Sequence, residues 1–248
     1  LSGIWAKVAA FVGRKPKRAG FITGIVLIAL AGYSSQLDAN GLSQTETLIG
    51  NPDSVVGQEV LAQHFPAGQG NPTFIIGPAN KTNQLLDVVK KTQGVDEAFA
   101  VPEIGAPGSA PKTKIVDGKV LISATLKDAA DSIEAKETIL DLRANLDSVS
   151  KDALVGGFTA VNEDIALAND RDNRIILPTV LALIFLILGL LLRSIVAPFM
   201  LISTVVLSFA ATLGACQLVF EYIFKFPGAD TSFPLFAFVF LVALGIDY

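Results

Sequence analysis

Residues Ile175–Phe220 read IILPTVLALIFLILGLLLRSIVAPFMLISTVVLSFAATLGACQLVF, and a single charge, Arg193, interrupts them. An α-helix rises 1.5 Å per residue, so about 20 apolar residues carry it across the hydrocarbon of a bilayer. Ile175–Leu192 and Ser194–Phe220 are each suited to that task, with Arg193 in the turn between them. Ala19–Leu37 and Thr231–Ile246 have the same uncharged character. Pro178, Pro198 and Pro234 each stand near the start of a run, where a missing N–H costs little. The reading is four transmembrane segments, at 19–37, 174–193, 194–222 and 231–248.

Composition agrees with a membrane protein that also carries a polar portion. Of the 248 residues 51% are hydrophobic and only 17% are charged, with a mean hydropathy of +0.55, too apolar for an ordinary soluble domain. A net charge of −4 and a pI near 5.0 give no support to a nucleic-acid partner, which needs a clustered basic face. The lone cysteine, Cys216, rules out an intrachain disulfide and lies in an apolar run, where a thiol serves as a small core residue. The first residue is Leu1 rather than Met and the last lies in an apolar run, so the chain is expected to be a fragment.

Orientation follows from the cations. Arg14, Lys15, Lys17 and Arg18 cluster just before the first run, and by the positive-inside rule they are cytoplasmic. The first helix then leads outward and the second returns, which puts Arg193 on the cytoplasmic side as well. Ahead of the cluster, GIWAKVAAF reads as a short helix lying at the interface, Trp5 and Phe11 on its apolar side. Residues 1–18 therefore form an interfacial helix with a basic cytoplasmic segment.

The region 38–173 has the texture of a folded extracytoplasmic domain. NPTFIIG, VDEAFAV, KVLISATLKD and ALVGGF read as strands, the second closed by Pro102. KTNQLLDVVKKT is a helix ending at Gly94, and DSIEAKETILDLRANLDSV is a helix with Ile139, Leu142, Leu146 and Val149 on one face. Asp131 and Glu134 have capping-box spacing at its start. The order β-α-β-β-α-β predicts a ferredoxin-like domain. From Thr159 the polar AVNEDIALANDRDNR carries no break signal and is expected to continue into the second span as one helix.

Near the other end, FPLFAFVFLVALGIDY (Phe233–Tyr248) places a carboxylate, Asp247, and a phenol, Tyr248, after an apolar run. Asp247 falls roughly 20 Å along that helix from Phe233. Inserting an aspartate at the bilayer centre costs about 2.5 to 3.5 kcal/mol, which makes it a functional candidate by default. No Lys or Arg lies inside any of the four runs, so a proton is the cheapest neutraliser. Such a group can carry protons between two access states, with Tyr248 donating its hydroxyl to the ionised form. Gly245 would let a neighbouring helix approach. The alternative is that Asp247 begins a cytoplasmic loop and snorkels to the surface.

Other residues weigh less. His64 is the only histidine, so no two-histidine metal site can form, and it reads as structural. Asp170 to Arg174, DRDNR, is either a solvated ion-pair cluster or an entry gate. Phe233, Phe236, Phe238 and Phe240 either pack against lipid or line a lipid route. No phosphate-binding loop, nucleophile elbow or metal-ligand spacing is present, which leaves an enzyme without candidate residues and no cofactor implied.

Three stretches carry a resemblance: DSVVGQEVLAQHFPAG (Asp53–Gly68), LRSIVAPFMLISTVVLSFAATLG (Leu192–Gly214) and FPLFAFVFLVALGIDY. The chain resembles the C-terminal half of an MMPL-family transporter of the resistance-nodulation-division (RND) superfamily. That resemblance implies one repeat of a two-repeat protein: opening helix, porter domain and three of five following helices, with the N-terminal repeat missing. It further implies that Asp247 and Tyr248 meet a matching pair in the other repeat and relay protons. The expected function is proton-motive-force-driven export of lipids or other hydrophobic compounds across the bacterial plasma membrane. Two rival functions are an accessory or sensing membrane protein of the same architecture that does not itself transport, and a tethered lipid-binding module.

Overall fold

The computed structural model describes residues 3–43, 48, 50, 52–103, 112–226 and 228–247. In chain order its elements are α1 (Ile4–Arg14), α2 (Pro16–Tyr33), α3 (Asp53–His64), β1 (Thr73–Pro78), α4 (Thr82–Lys91), β2 (Val95–Ala100), β3 (Ile115–Val116) and β4 (Lys119–Leu126). They continue as α5 (Ile133–Asp147), β5 (Leu154–Gly156), α6 (Phe158–Leu192), α7 (Val196–Leu218) and α8 (Phe233–Asp247). Two compact units result, one of Leu1–Gly41 with Asn169–Tyr248 and one of Leu42–Ala168.

The first unit is helical. Among the described residues three helices are long and apolar enough to cross a membrane, those that cover Pro16–Gln36, Phe158–Leu192 and Val196–Phe224, while Phe233–Ala243 is a shorter apolar stretch. Large apolar side chains point outward, Leu190, Leu191 and Ile195 among the most exposed. Hydroxyls within these helices bond back to carbonyls one turn earlier: Thr179 Oγ1 donates to Ile175 O at 2.6 Å, Ser203 Oγ to Phe199 O at 2.8 Å, and Thr212 Oγ1 to Ser208 O at 2.8 Å. Such bonds satisfy a polar group where water is absent.

Helix α6 runs unbroken from the charged segment into the apolar one, so Pro178 lies inside a helix rather than near the start of one. The carbonyl that loses its donor is that of Arg174, which sits in the charged part. That placement limits the cost of the proline to the polar side of the boundary. Helix α7 is extended by a π-helical turn, Val219–Phe224, which ends where Lys225 takes a left-handed conformation.

Helices α2 and α7 come within backbone contact. A Cβ on Gly214 would collide with Leu30 O and lie 3.1 Å from Ser34 N, so only glycine fits at that crossing. Ala211, one turn earlier, is buried. The segments that follow α2 and precede α8 are tied by two backbone bonds, Ala229 N–H to Asp38 O at 2.8 Å and Gly41 N–H to Ala229 O at 3.2 Å.

The second unit is an antiparallel sheet with helices on it. The strand order is β2-β4-β1-β5, and the short β3 pairs with β4. Alternation decides its faces: Ile75 of β1 and Val120, Ile122, Ala124 and Leu126 of β4 point to a core closed by Leu85 and Val89 of α4 and by Ile139, Leu142 and Leu146 of α5. The opposite positions, Phe74, Ile76, Phe99 and Leu154, stay exposed. Gly94, at φ +90, precedes β2, and a Cβ there would strike Thr138 Oγ1. Helix α5 is capped by Ser132, whose hydroxyl accepts Ala135 N–H at 3.1 Å. The capping position is thus one residue later than the Asp131 expected from spacing.

Where α6 begins, outside its apolar part, two neighbouring carboxylates differ. Arg143 grips Asp164 with both terminal nitrogens, at 2.6 and 3.0 Å, and holds its carboxyl below the usual range. Glu163 is buried, and burial pushes its carboxyl up while the Lys136 and Arg143 cations pull the other way.

Two outcomes follow from this packing. Gly214→Leu should lower the thermal midpoint of the chain in detergent by the equivalent of about 1–3 kcal/mol, as overpacking does, whereas Gly24→Ala, with nothing within 4 Å, should leave it near its starting value. For Glu163 the raised pKa means that ionisation opposes folding, so its destabilisation appears as pH rises through that pKa. Glu163→Gln should therefore raise the midpoint at neutral pH, with the gain shrinking as pH falls to the ordinary glutamate range. A lowered midpoint at neutral pH would mean that attraction to Lys136 and Arg143 outweighs burial.

Candidate functional site

Helix α8 starts on a turn made by its own sequence. Asp230 Oδ1 accepts Ser232 N–H at 2.8 Å, and Phe233 N–H donates to Asp230 O at 3.0 Å. From there one face packs on α7: Phe238 is buried with its ring edge-on to Phe209, centroids 5.4 Å apart at 80°, and Val242 one turn later is buried too. Phe233 lies against Phe220, centroids 5.7 Å apart. Phe236, Val239, Phe240 and Ala243 are exposed.

Helical register extends these faces to the end of α8. Gly245 comes seven residues after Phe238 and three after Val242, so it continues the packed face. Asp247, the last residue of the helix, comes four after Ala243 and seven after Phe240, so its position continues the exposed face. The Asp247 side chain and the surroundings of Gly245 lie outside the described residues, as does Tyr248 altogether.

Among the four phenylalanines singled out from the sequence, the structure separates two roles. Phe238 and Phe233 pack against α7 and its π-helical extension, while Phe236 and Phe240 face outward on the Asp247 side.

Three polar arrangements escaped the sequence reading. Tyr33 Oη, at the end of α2, donates to Glu221 Oε2 at 2.8 Å, and Gln217 Nε2 approaches the same oxygen at 3.4 Å. Asn169 Nδ2 on α6 donates to Thr231 Oγ1 at 2.7 Å, which ties α6 to the segment that opens α8. One turn further along α6, Asn173 Oδ1 is buried and without a hydrogen-bond partner. A groove of about 430 Å³ also lies between α2 and α7, lined by Leu27, Leu30, Ala211, Thr212, Ala215 and Cys216.

The remaining candidates fall into place as surface features. Arg174 meets Asp170 through Nε and Nη2 at 3.2 and 2.9 Å, an exposed pair one helical turn apart, and Arg171 lies 3.6 Å from Asp172. Exposed pairs of this kind contribute about 0.2–1 kcal/mol. His64 is the exposed last residue of α3.

Residues 47–248 match the family model described as the MMPL family. A membrane protein of Streptomyces coelicolor is 44% identical to this chain over 246 residues, covering 99% of the chain and 35% of that protein. The apo-petrobactin exporter of Bacillus anthracis is 31% identical over 98% of the chain and 33% of its own length. The sulfolipid-1 exporter MmpL8 of Mycobacterium tuberculosis is 40% identical over 94 residues, 38% of the chain and 8% of that protein. The chain thus spans about a third of the length of the first two relatives. With three helices apolar enough to span a bilayer among the described residues and a family match across most of its length, this chain belongs to the MMPL family.

Proposed function

We propose that this chain forms one repeat of a proton-driven exporter of lipids or other hydrophobic molecules in the bacterial plasma membrane. The observation that carries the reading is a carboxylate, Asp247, at the end of an apolar helix, on the register face shared with the outward-facing Phe236, Phe240 and Ala243. An acid at that position is costly unless it is protonated or met by a polar partner from another part of the protein. In the first state it carries a proton; in the second, with Tyr248 beside it, the proton leaves and helix packing shifts.

In this arrangement α2, α6, α7 and α8 are four membrane-spanning helices. The basic residues before α2 and Arg193 between α6 and α7 are cytoplasmic, and α1 lies along the cytoplasmic surface of the membrane. The sheet unit is then extracytoplasmic. Its strand order β2-β4-β1-β5, with α4 and α5 as crossovers, supports reading it as a ferredoxin-like porter domain. The exposed Phe74, Ile76, Phe99 and Leu154 supply an apolar surface suited to a hydrophobic cargo or to the porter domain of the other repeat. Names of relatives, an exporter of apo-petrobactin and one of sulfolipid-1, support export as the general activity.

The test is Asp247→Asn in the full-length protein that contains this chain. Export of a hydrophobic substrate from cells or proteoliposomes should be lost, with expression and thermal stability kept, and a protonophore should abolish export by the unaltered protein. Export retained by the variant at full expression removes the coupling role. Protonophore-insensitive export removes the proton drive, and absence of export together with tight binding of another membrane protein favours the accessory role.

A further inference from the structure

We propose that the elbow between α1 and α2 is a binding site for the headgroups of anionic phospholipids in the cytoplasmic leaflet. This deepens the surface-lying reading of α1 given above and is independent of transport.

Three features meet at the elbow. Helix α1 is amphipathic: Val8, Phe11 and Val12 form an apolar stripe that is exposed, and Lys7 and Arg14, two turns apart, flank it. Lys15, at φ −138 and ψ 58, breaks the helix, and Pro16 starts α2 at once, so Arg14, Lys15, Lys17 and Arg18 gather around one turn of chain, all exposed. The start of α2 has no side-chain cap and no acid in its first turn, so the positive end of that helix adds to the cationic cluster.

These charges have no local counterions. Residues 1–37 contain five cations, Lys7, Arg14, Lys15, Lys17 and Arg18, and no Asp or Glu. Among the described residues the ion pairs are Arg143–Asp164, Arg171–Asp172 and Arg174–Asp170, and none involves the five. An apolar stripe beside cations fits the boundary between acyl chains and phosphates. Continuity of the cluster with the apolar run that begins at Ala19 sets it at headgroup depth. A free phosphate would use the cations but leave the stripe exposed, and a nucleic acid would need a wider basic surface than a chain of net charge −4 offers. The phosphodiester of an anionic lipid uses both features.

Trp5 in α1 is the only tryptophan of the chain, so its emission reports on the helix that leads into the elbow. The chain is reconstituted in phosphatidylcholine vesicles that contain a minority of phosphatidylglycerol, with bromine on the acyl chains of one lipid or the other. Brominated phosphatidylglycerol should quench Trp5 emission about two-fold more per mole than brominated phosphatidylcholine, and added salt should erase the difference. In the variant with Arg14, Lys15, Lys17 and Arg18 all changed to Gln, quenching by phosphatidylcholine should persist while the preference disappears.

Equal quenching by the two lipids in the unaltered chain overturns the site, as does a preference that survives salt or the four substitutions. Removing cations can disturb insertion, so the salt series on the unaltered chain stands as a test without the variant. Loss of the preference on adding inorganic phosphate at constant ionic strength reassigns the cluster to free phosphate and overturns the lipid site. Absence of quenching by either lipid overturns the surface-lying helix and this site together, while the Asp247 experiment remains unaffected.

Discussion

Where water is excluded, every polar group has to find its partner inside the protein, and this constraint explains most of what the helical unit looks like. Backbone amides are satisfied by continuous helices, and hydroxyls such as those of Thr179, Ser203 and Thr212 bond to carbonyls of their own helix. Apolar side chains cannot hold helices together by the hydrophobic effect in lipid, since lipid is as apolar as they are. Close approach does so instead, and Gly214 against Leu30 O is its clearest instance. The proline in α6 obeys the same rule, because the carbonyl it deprives of a donor, that of Arg174, lies on the charged side of the boundary.

The sheet unit is built on the opposite logic. There the driving term is removal of apolar surface from water, and alternation along β1 and β4 sends Ile75, Val120, Ile122 and Leu126 to one side against α4 and α5. Polar groups drawn into that core are costly. Thr73 Oγ1 and Thr159 Oγ1 are buried without hydrogen-bond partners, and Glu163 is buried with only nearby cations to offset the loss of water. Asp164, its neighbour in the chain, stays exposed and pairs with both terminal nitrogens of Arg143, so it never bears that cost.

What the sequence revealed and what it concealed follows the range of the interactions. Apolar runs, strand alternation and turn residues are local, so the long apolar helices and strands β1, β2, β4 and β5 could be read directly, whereas the two residues of β3 are too few to show alternation. Helix α3 could not, because Val55, Val56, Val60 and Leu61 spread around its circumference and only Val55 is buried. The cap of α5 was misplaced by one residue since Asp131 and Ser132 are both good caps and spacing to Glu134 favoured the first; only the Ser132–Ala135 bond distinguishes them. Tyr33 with Glu221, and Asn169 with Thr231, join residues far apart in the chain, and nothing in either neighbourhood announces the other. The carboxylate of Asp247 was conspicuous for a different reason: its chemistry clashes with the run that precedes it, and such a clash is visible without any structure.

Asp247 and the basic elbow are two places where charge meets apolar sequence, and they do so in opposite ways. At the elbow four cations stand beside an apolar stripe but ahead of the span, so they can remain hydrated or meet headgroups, and their charge is never surrendered. Asp247 closes an apolar helix in which Phe238 and Val242 already take the packed face against α7, which leaves its own register on the outward one. A fixed positive charge at a boundary can anchor and orient a helix without changing state. In the proposed exporter such an acid would stay neutral unless another part of the protein met it with a polar partner, and a difference in proton affinity between two such arrangements is what a proton-coupled motion requires.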